Sequence, residues 1–158
     1  MKKFFSLGLL SLAMIFGFSA CDDDDDLPDV SFAVNFEDAT VVDGTVYVVQ
    51  GETFEIESVT PINNDGNSRV EIGPVTYYWD YQPLGASAYK PYAFEITVSP
   101  NTGTGKHILE LTCQVFAVDK SPARALMSYP VVVVASEDEL PNGDTSVVQY
   151  PQLSDAED

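Results

Sequence analysis

The chain is poor in the residues that most chemistry needs. It has two cysteines, one histidine and one tryptophan, and seven basic residues stand against 25 acidic ones. A nucleophile needs a base beside it; the lone histidine, His107, opens a strand and reads as a half-packed residue at a rim, and no Gly-x-Ser-x-Gly elbow precedes a helix. Structural zinc needs clustered Cys and His, which are missing. Two cysteines allow at most one disulfide. The net charge of −18 repels nucleic acid and anionic lipid, so both are poor partners. Carboxylates are plentiful, but Glu55 and Glu57 read as exposed strand positions, whereas a glycosidase needs two carboxyls facing each other across a cleft. Asn63, Asp65 and Asn67 could offer oxygens to calcium, yet no acid follows at the spacing of an EF-hand loop, so the segment reads as a turn. No enzyme activity, cofactor or metal is implied.

What is present begins at the amino terminus. Met1, Lys2 and Lys3 are followed by an almost wholly apolar run from Phe4 to Phe18 and by the small residues Ser19 and Ala20. This is the three-part layout of a secretory signal. The run of about fifteen residues falls short of the roughly 20 that span a bilayer; an uncleaved anchor helix is the alternative. Phe18-Ser19-Ala20-Cys21 resembles the lipobox of bacterial lipoproteins, with Phe18 where leucine is usual. The resemblance implies cleavage before Cys21 and a diacylglyceryl thioether on that cysteine, against the alternative of an ordinary cleavage site. Two or more acyl chains suffice for stable anchoring. Asp22, Asp23, Asp24, Asp25 and Asp26 form a self-repelling spacer. An acidic run directly after the lipid cysteine also resembles the surface-export signal of lipoproteins in the Bacteroides group. It implies an outer-membrane protein facing the cell exterior, with retention facing the periplasm as the competing reading. Removing residues 1–20 takes away Lys2 and Lys3 and no acid, so the formal charge moves from −18 to −20.

Between Val30 and Ala135 the apolar residues recur with period two, and no stretch has helical spacing. Val30, Phe32, Val34 and Phe36 alternate with small or polar residues. Val41-Val42 and Val46 to Val49 flank Asp43-Gly44, a hairpin dipeptide. Phe54 and Ile56 alternate with glutamates. Tyr77, Trp79 and Tyr81 point one way, Tyr78 and Asp80 the other. Phe94, Ile96 and Val98 form a further strand, and Leu109 to Ala117 makes the longest alternation. Met127 to Val134 is the last strong strand; Pro130 within it cannot donate to a ladder, which predicts an edge or a bulge. About seven or eight short strands predict an all-β fold, a single antiparallel sandwich over residues 30–135. Residues 21–29 are its tether. Residues 136–158 carry seven acids, two prolines and no base, and read as a mostly disordered tail in which 145–150 could add one short strand.

Tyr77-Tyr78-Trp79-Asp80-Tyr81 is similar to the Tyr-x-Trp-Asp-Phe strand of PKD-type immunoglobulin-like domains. The alternation from Gly105 through His107, Leu109, Leu111, Cys113, Val115 and Ala117 to Asp119 resembles another of their strands. The family's Gly-Asp-Gly turn is replaced by Gln82-Pro83-Leu84-Gly85, and His107 stands for the usual tyrosine. The resemblance covers roughly residues 51–135. It implies an immunoglobulin-like sandwich with Trp79 between the sheets, Ser58 where the first core cysteine would stand, and Cys113 where the second would. Cys113, left without a partner once Cys21 is lipidated, reads as a buried small hydrophobe.

The polar aromatics of residues 77–92 are the candidate ligand contacts. Tyr78, Tyr89 and Tyr92 could stack on sugar rings or on a partner surface, because tyrosine buries area cheaply and keeps a polar tip; the alternative is that these rings only pack locally. The expectation is a lipid-anchored, non-catalytic surface module that binds a polysaccharide or a neighbouring surface protein. A spacer or accessory subunit of an envelope complex, without its own ligand, is the other reading.

Overall fold

The computed structural model describes residues 27–66 and 69–156. Twelve strands appear in chain order: β1 (Val30–Glu37), β2 (Thr40–Val42), β3 (Thr45–Val49), β4 (Thr53–Asn63), β5 (Val70–Ile72), β6 (Val75–Trp79), β7 (Gln82–Ser87), β8 (Phe94–Thr97), β9 (Gly105–Ala117), β10 (Ala123–Val134), β11 (Ser146–Gln149) and β12 (Gln152–Asp155). Among the described residues no helix is long and apolar enough to cross a membrane.

Two sheets form. The smaller runs β11-β1-β4-β8; the larger runs β2-β3-β10-β9-β6-β7, with β12 added to β10 and β5 to β9. The placement of β1, β4 and β8 against β3, β10, β9 and β6 is that of an immunoglobulin-like sandwich. The strands outnumber the seven or eight read from the sequence, and one pairing departs from the antiparallel rule: β3 lies parallel to β10. Alternation decides which side of each strand faces inward. Phe32, Phe36, Phe54, Ile56, Tyr77, Leu109, Leu111, Met127 and Tyr129 fill the space between the sheets. Burying such a side chain contributes roughly 1.5–3 kcal/mol each.

Turn chemistry fixes the register. Asp43 and Gly44 both have positive φ, 50° and 78°, and close the β2–β3 hairpin. Asp80 and Tyr81 do the same between β6 and β7, at 47° and 66°. That second hairpin is hidden in the sequence, because neither residue is the glycine that such a turn prefers.

Four expectations need correction. Ser58 does not face Cys113: the register of β1 on β4 skips from Asn35–Ser58 to Phe36–Ile56, a bulge at Glu57 that turns Ser58 outward. There its Oγ accepts a hydrogen bond from Asn35 Nδ2 at 2.9 Å. Trp79 does pack between the sheets, its ring 6.4 Å from that of Phe54, but at the rim and only partly buried; the ring at the centre of the core is Tyr77. Pro130 is neither on an edge strand nor at a bulge. It pairs with Ile108 of β9, and on its other flank β10 passes from β12 (through Leu126) to β3 (from Val131), leaving a gap where no N–H is needed. The fourth correction concerns the tail. Beyond Ala135 the chain adds β11 to β1 and β12 to β10, and Val147 and Leu153 pack against the core. Phe36 N–H donates to the Thr145 carbonyl at 2.7 Å, and Val41 and Asp144 exchange two backbone bonds at 2.7 and 2.9 Å. Acidic composition concealed two apolar residues at the spacing a strand pair requires.

Both ends of the described chain leave from one end of the sandwich. Asn64 N–H donates to the Asp29 carbonyl, Lys120 reaches Asp65 at 3.7 Å, and Ala156 N–H donates to the Pro122 carbonyl. The turn at Asp80-Tyr81 and the segment Gln50–Glu52 lie at the opposite end.

Candidate functional site

The two outer faces differ in charge. On the smaller sheet, Glu37 of β1, Glu55 of β4 and Glu95 of β8 stand directly opposite one another in a single row. Glu57 lies beside them, and no cation pairs with any of the four among the described residues.

On the larger sheet the outward residues of β9 are Lys106, Ile108, Glu110, Thr112, Gln114 and Phe116, between buried Leu109, Leu111, Cys113 and Val115. Register extends them into rows across the strands. Tyr78, Glu110 and Ser128 form one; Thr76, Thr112, Leu126 and Gln152 the next; Gln114, Arg124 and Ser154 a third. Five cations follow residue 20, and four stand on or beside this face: Arg69, Lys90, Lys106 and Arg124. The carboxylates on or beside it among the described residues are Glu110, which accepts a hydrogen bond from Ser128 Oγ at 3.1 Å, Glu71, and Asp155 of β12. Glu71 is held by Lys90 Nζ and Arg69 Nε, each at 2.7 Å, and these hydrogen bonds lower its pKa. Lys106 and Arg124 have no ion-pair partner among the described residues. Among the described residues, a chain with net charge −18 thus keeps one face on which four cations stand against three carboxylates.

Two grooves mark the same face. One, of about 330 Å³, crosses β9, β10 and β12; the other, of about 220 Å³, reaches Pro74, Thr76 and Gln114. They meet at Thr112 and Arg124, which line both. A wider groove of about 740 Å³ lies at the end opposite the chain's entry, rimmed by Asp38, Glu52 and Glu137 and floored by Ala39, Val49 and Leu140.

The aromatic candidates separate. Tyr78 is half buried and stands on the outer face of the larger sheet, across from Glu110. Tyr89 is 85% exposed in the loop that Lys90 ties to Glu71. Tyr92 does not belong with them: it is 4% exposed, its hydroxyl donates to the Ile72 carbonyl at 3.0 Å, and its own carbonyl accepts from the Tyr77 hydroxyl. It is core, turned inward by a loop whose local sequence shows no alternation. Tyr81, 69% exposed beside the edge strand β7, is an aromatic the sequence reading placed on the wrong side, because the turn at Asp80 ends the alternation.

His107 is fastened at both nitrogens. Nδ1 lies 2.7 Å from Asp80 Oδ2 and Nε2 lies 2.6 Å from the Gly103 carbonyl oxygen, with Trp79 alongside at 5.4 Å between ring centroids. Two acceptors call for two N–H donors, which only the imidazolium supplies. Desolvation works against the charged ring, but the Asp80 and Gly103 hydrogen bonds outweigh it and raise its pKa. The ring therefore joins the β6–β7 turn, the loop before β9 and β9 itself. Burial pushes the Cys113 thiol up to about 12, which leaves it inert. The turn at Asn63–Asp65 is closed internally, Asp65 N–H donating to Asn63 Oδ1 at 2.9 Å, and among the described residues no group of three or more His, Cys, Asp and Glu could hold a metal ion. Cys21 and Asp22 to Asp26 lie outside the described residues.

No protein-family model matches the chain, and no curated protein matches it. Among solved structures, the chain is similar to the fibronectin(III)-like modules of Clostridium thermocellum CbhA, at 19% identity and a TM-score of 0.40. The match covers 69% of this chain and 50% of that one, so the chain spans about half the length of the structure it matches.

Proposed function

We propose that this protein is a lipid-anchored, surface-exposed binding module of the outer membrane that acts without catalysis. The observation that carries the reading is the charge contrast between the two outer faces: a cation-rich, grooved face on a strongly acidic molecule is a binding surface, not a solubilising one. The fastening of His107 supports the absence of catalysis, since the ring has no free nitrogen with which to activate a nucleophile. For the anchor, the support is the Phe18–Cys21 motif and the place where the chain enters the sandwich. The nine residues from Cys21 to Asp29 reach about 30 Å at most, enough to hold the domain clear of a membrane with its faces open.

Cys21→Ala should abolish labelling by a fatty-acid probe; unchanged labelling would refute the anchor. Replacing Asp22 to Asp26 with alanine should preserve lipidation and reduce cleavage by protease added to whole cells. Glycan arrays and pull-downs with the detergent-solubilised protein test the binding role, and silence in both would sink it.

A second reading, an accessory subunit that assembles with another chain, is favoured by β7. Its outer edge has no partner among the described strands, and Leu84 on it is 43% exposed. Such an edge accepts a further strand. Crosslinking in cells that returns one stoichiometric protein and no sugar binding would select it.

A further inference from the structure

We infer that the outer face of the larger sheet binds a carboxylate-bearing polysaccharide, with Arg124 and Lys106 receiving its charges; this rests on the binding-module reading above. Three observations converge. First, Arg124 lines both grooves at their junction and carries no ion pair among the described residues, in a chain of 25 acids. A guanidinium that no carboxylate of the described residues engages is available to an incoming one, which its planar fork can hold bidentately. Second, Lys106, likewise without an ion pair among the described residues, points from the same face. It pairs with Val132, and Arg124 lies eight residues before Val132 on β10, so the two charges stand about 27 Å apart at about 3.4 Å per residue. A compact anion cannot meet both; a polymer that repeats its charge can.

Third, the groups around Arg124 suit rings bearing hydroxyls better than a peptide. A peptide recognised by a sheet satisfies its backbone at a strand edge. Here the grooves cross strand faces, where the ladders already engage the backbone. What remains is side chains: the hydroxyls of Thr76, Thr112 and Ser154, and the amides of Gln114 and Gln152. Tyr78, one row away, offers a half-buried ring for stacking. The smaller sheet, with its row of glutamates, repels the same ligand and so leaves a single face for it.

Calorimetric titration of the full chain in detergent with polygalacturonate, uncharged dextran and polyglutamate at 0.15 M salt tests the inference. Polygalacturonate should bind, and Arg124→Gln and Lys106→Gln should each weaken it about tenfold, while Glu57→Gln on the other face leaves it unchanged. Circular dichroism of each variant should match the wild type. Binding of polygalacturonate that ignores Arg124→Gln, or binding of dextran or polyglutamate in preference to it, would overturn this inference while leaving a binding module intact. Silence toward all three overturns it as well. The module itself falls only when arrays and pull-downs are also silent.

Discussion

The hydroxyl of Tyr129 is buried between the sheets and has no hydrogen-bond partner among the described residues. An orphaned buried polar group costs about 1–3 kcal/mol. Tyr129→Phe should therefore raise the unfolding free energy by roughly 1 kcal/mol, read by thermal or urea unfolding; a loss would mean the hydroxyl contributes a bond in solution. The Asp80–His107 pair behaves oppositely. Because the folded ring holds its proton above its ordinary value, its contribution is complete below a pH of about 6.5 and disappears as pH rises through the raised folded pKa. Asp80→Asn keeps a residue that tolerates the φ of 47° and removes the charge. It should cost about 1 kcal/mol at pH 5.5 and less at pH 9, since the pair is partly solvated; an equal cost at both values would refute the imidazolium. Residues of this kind divide what the sequence made legible. Cys113 was readable as a core residue because it stands in an alternation of known phase. Tyr92 was not, because a loop has no phase, and Tyr81 lost its phase at the turn.

At the scale of elements, the row Glu37–Glu55–Glu95 places like charges opposite one another twice. Opposed like charges destabilise a sheet, and opposite-charge pairs contribute roughly 0.2–1 kcal/mol. Glu55→Lys converts both contacts and should stabilise the protein by about 0.5–1 kcal/mol in urea unfolding; no gain would show that the three side chains splay apart into water. The attachment of the C-terminal segment depends on Gly143. A Cβ there would lie 2.4 Å from the Val41 carbonyl oxygen and 2.7 Å from Val42 Cγ2. Gly143→Ala should destabilise by about 1–3 kcal/mol and speed hydrogen exchange at Val41 and Asp144; unchanged exchange would contradict the close approach. The strands β1, β3, β4, β6, β8, β9 and β10 were legible because each carries its own period-two pattern. β7 and β12 were not, and β11 only as an optional short strand over residues 145–150: all three expose most of their side chains and are held by neighbours rather than by their own composition. The candidate face was legible in part, through Tyr78. Its cations are scattered along the sequence from 69 to 124, and only strand register gathers them.

For the whole molecule, a net charge of −18 sets the compact state against its own repulsion. Raising salt from 0.05 to 0.5 M shortens the Debye length from roughly 14 to 4 Å and should raise the melting temperature by a few degrees. A fall would mean that Glu71 with its two cations, and Asp80 with His107, outweigh the repulsion. The place of β1 has a mechanical consequence. If a lipid holds Cys21, any drag on material captured by the larger sheet is transmitted through the tether into the first residue of β1. That strand is interior to its sheet, joined to β4 over eight residue pairs and to β11 over four. A pull along its axis loads these bonds together in shear instead of peeling them one at a time. Without β11, β1 would be an edge strand gripped on one side only. The acidic segment after Ala135 therefore acts as a latch, gripping the point of suspension from its second side.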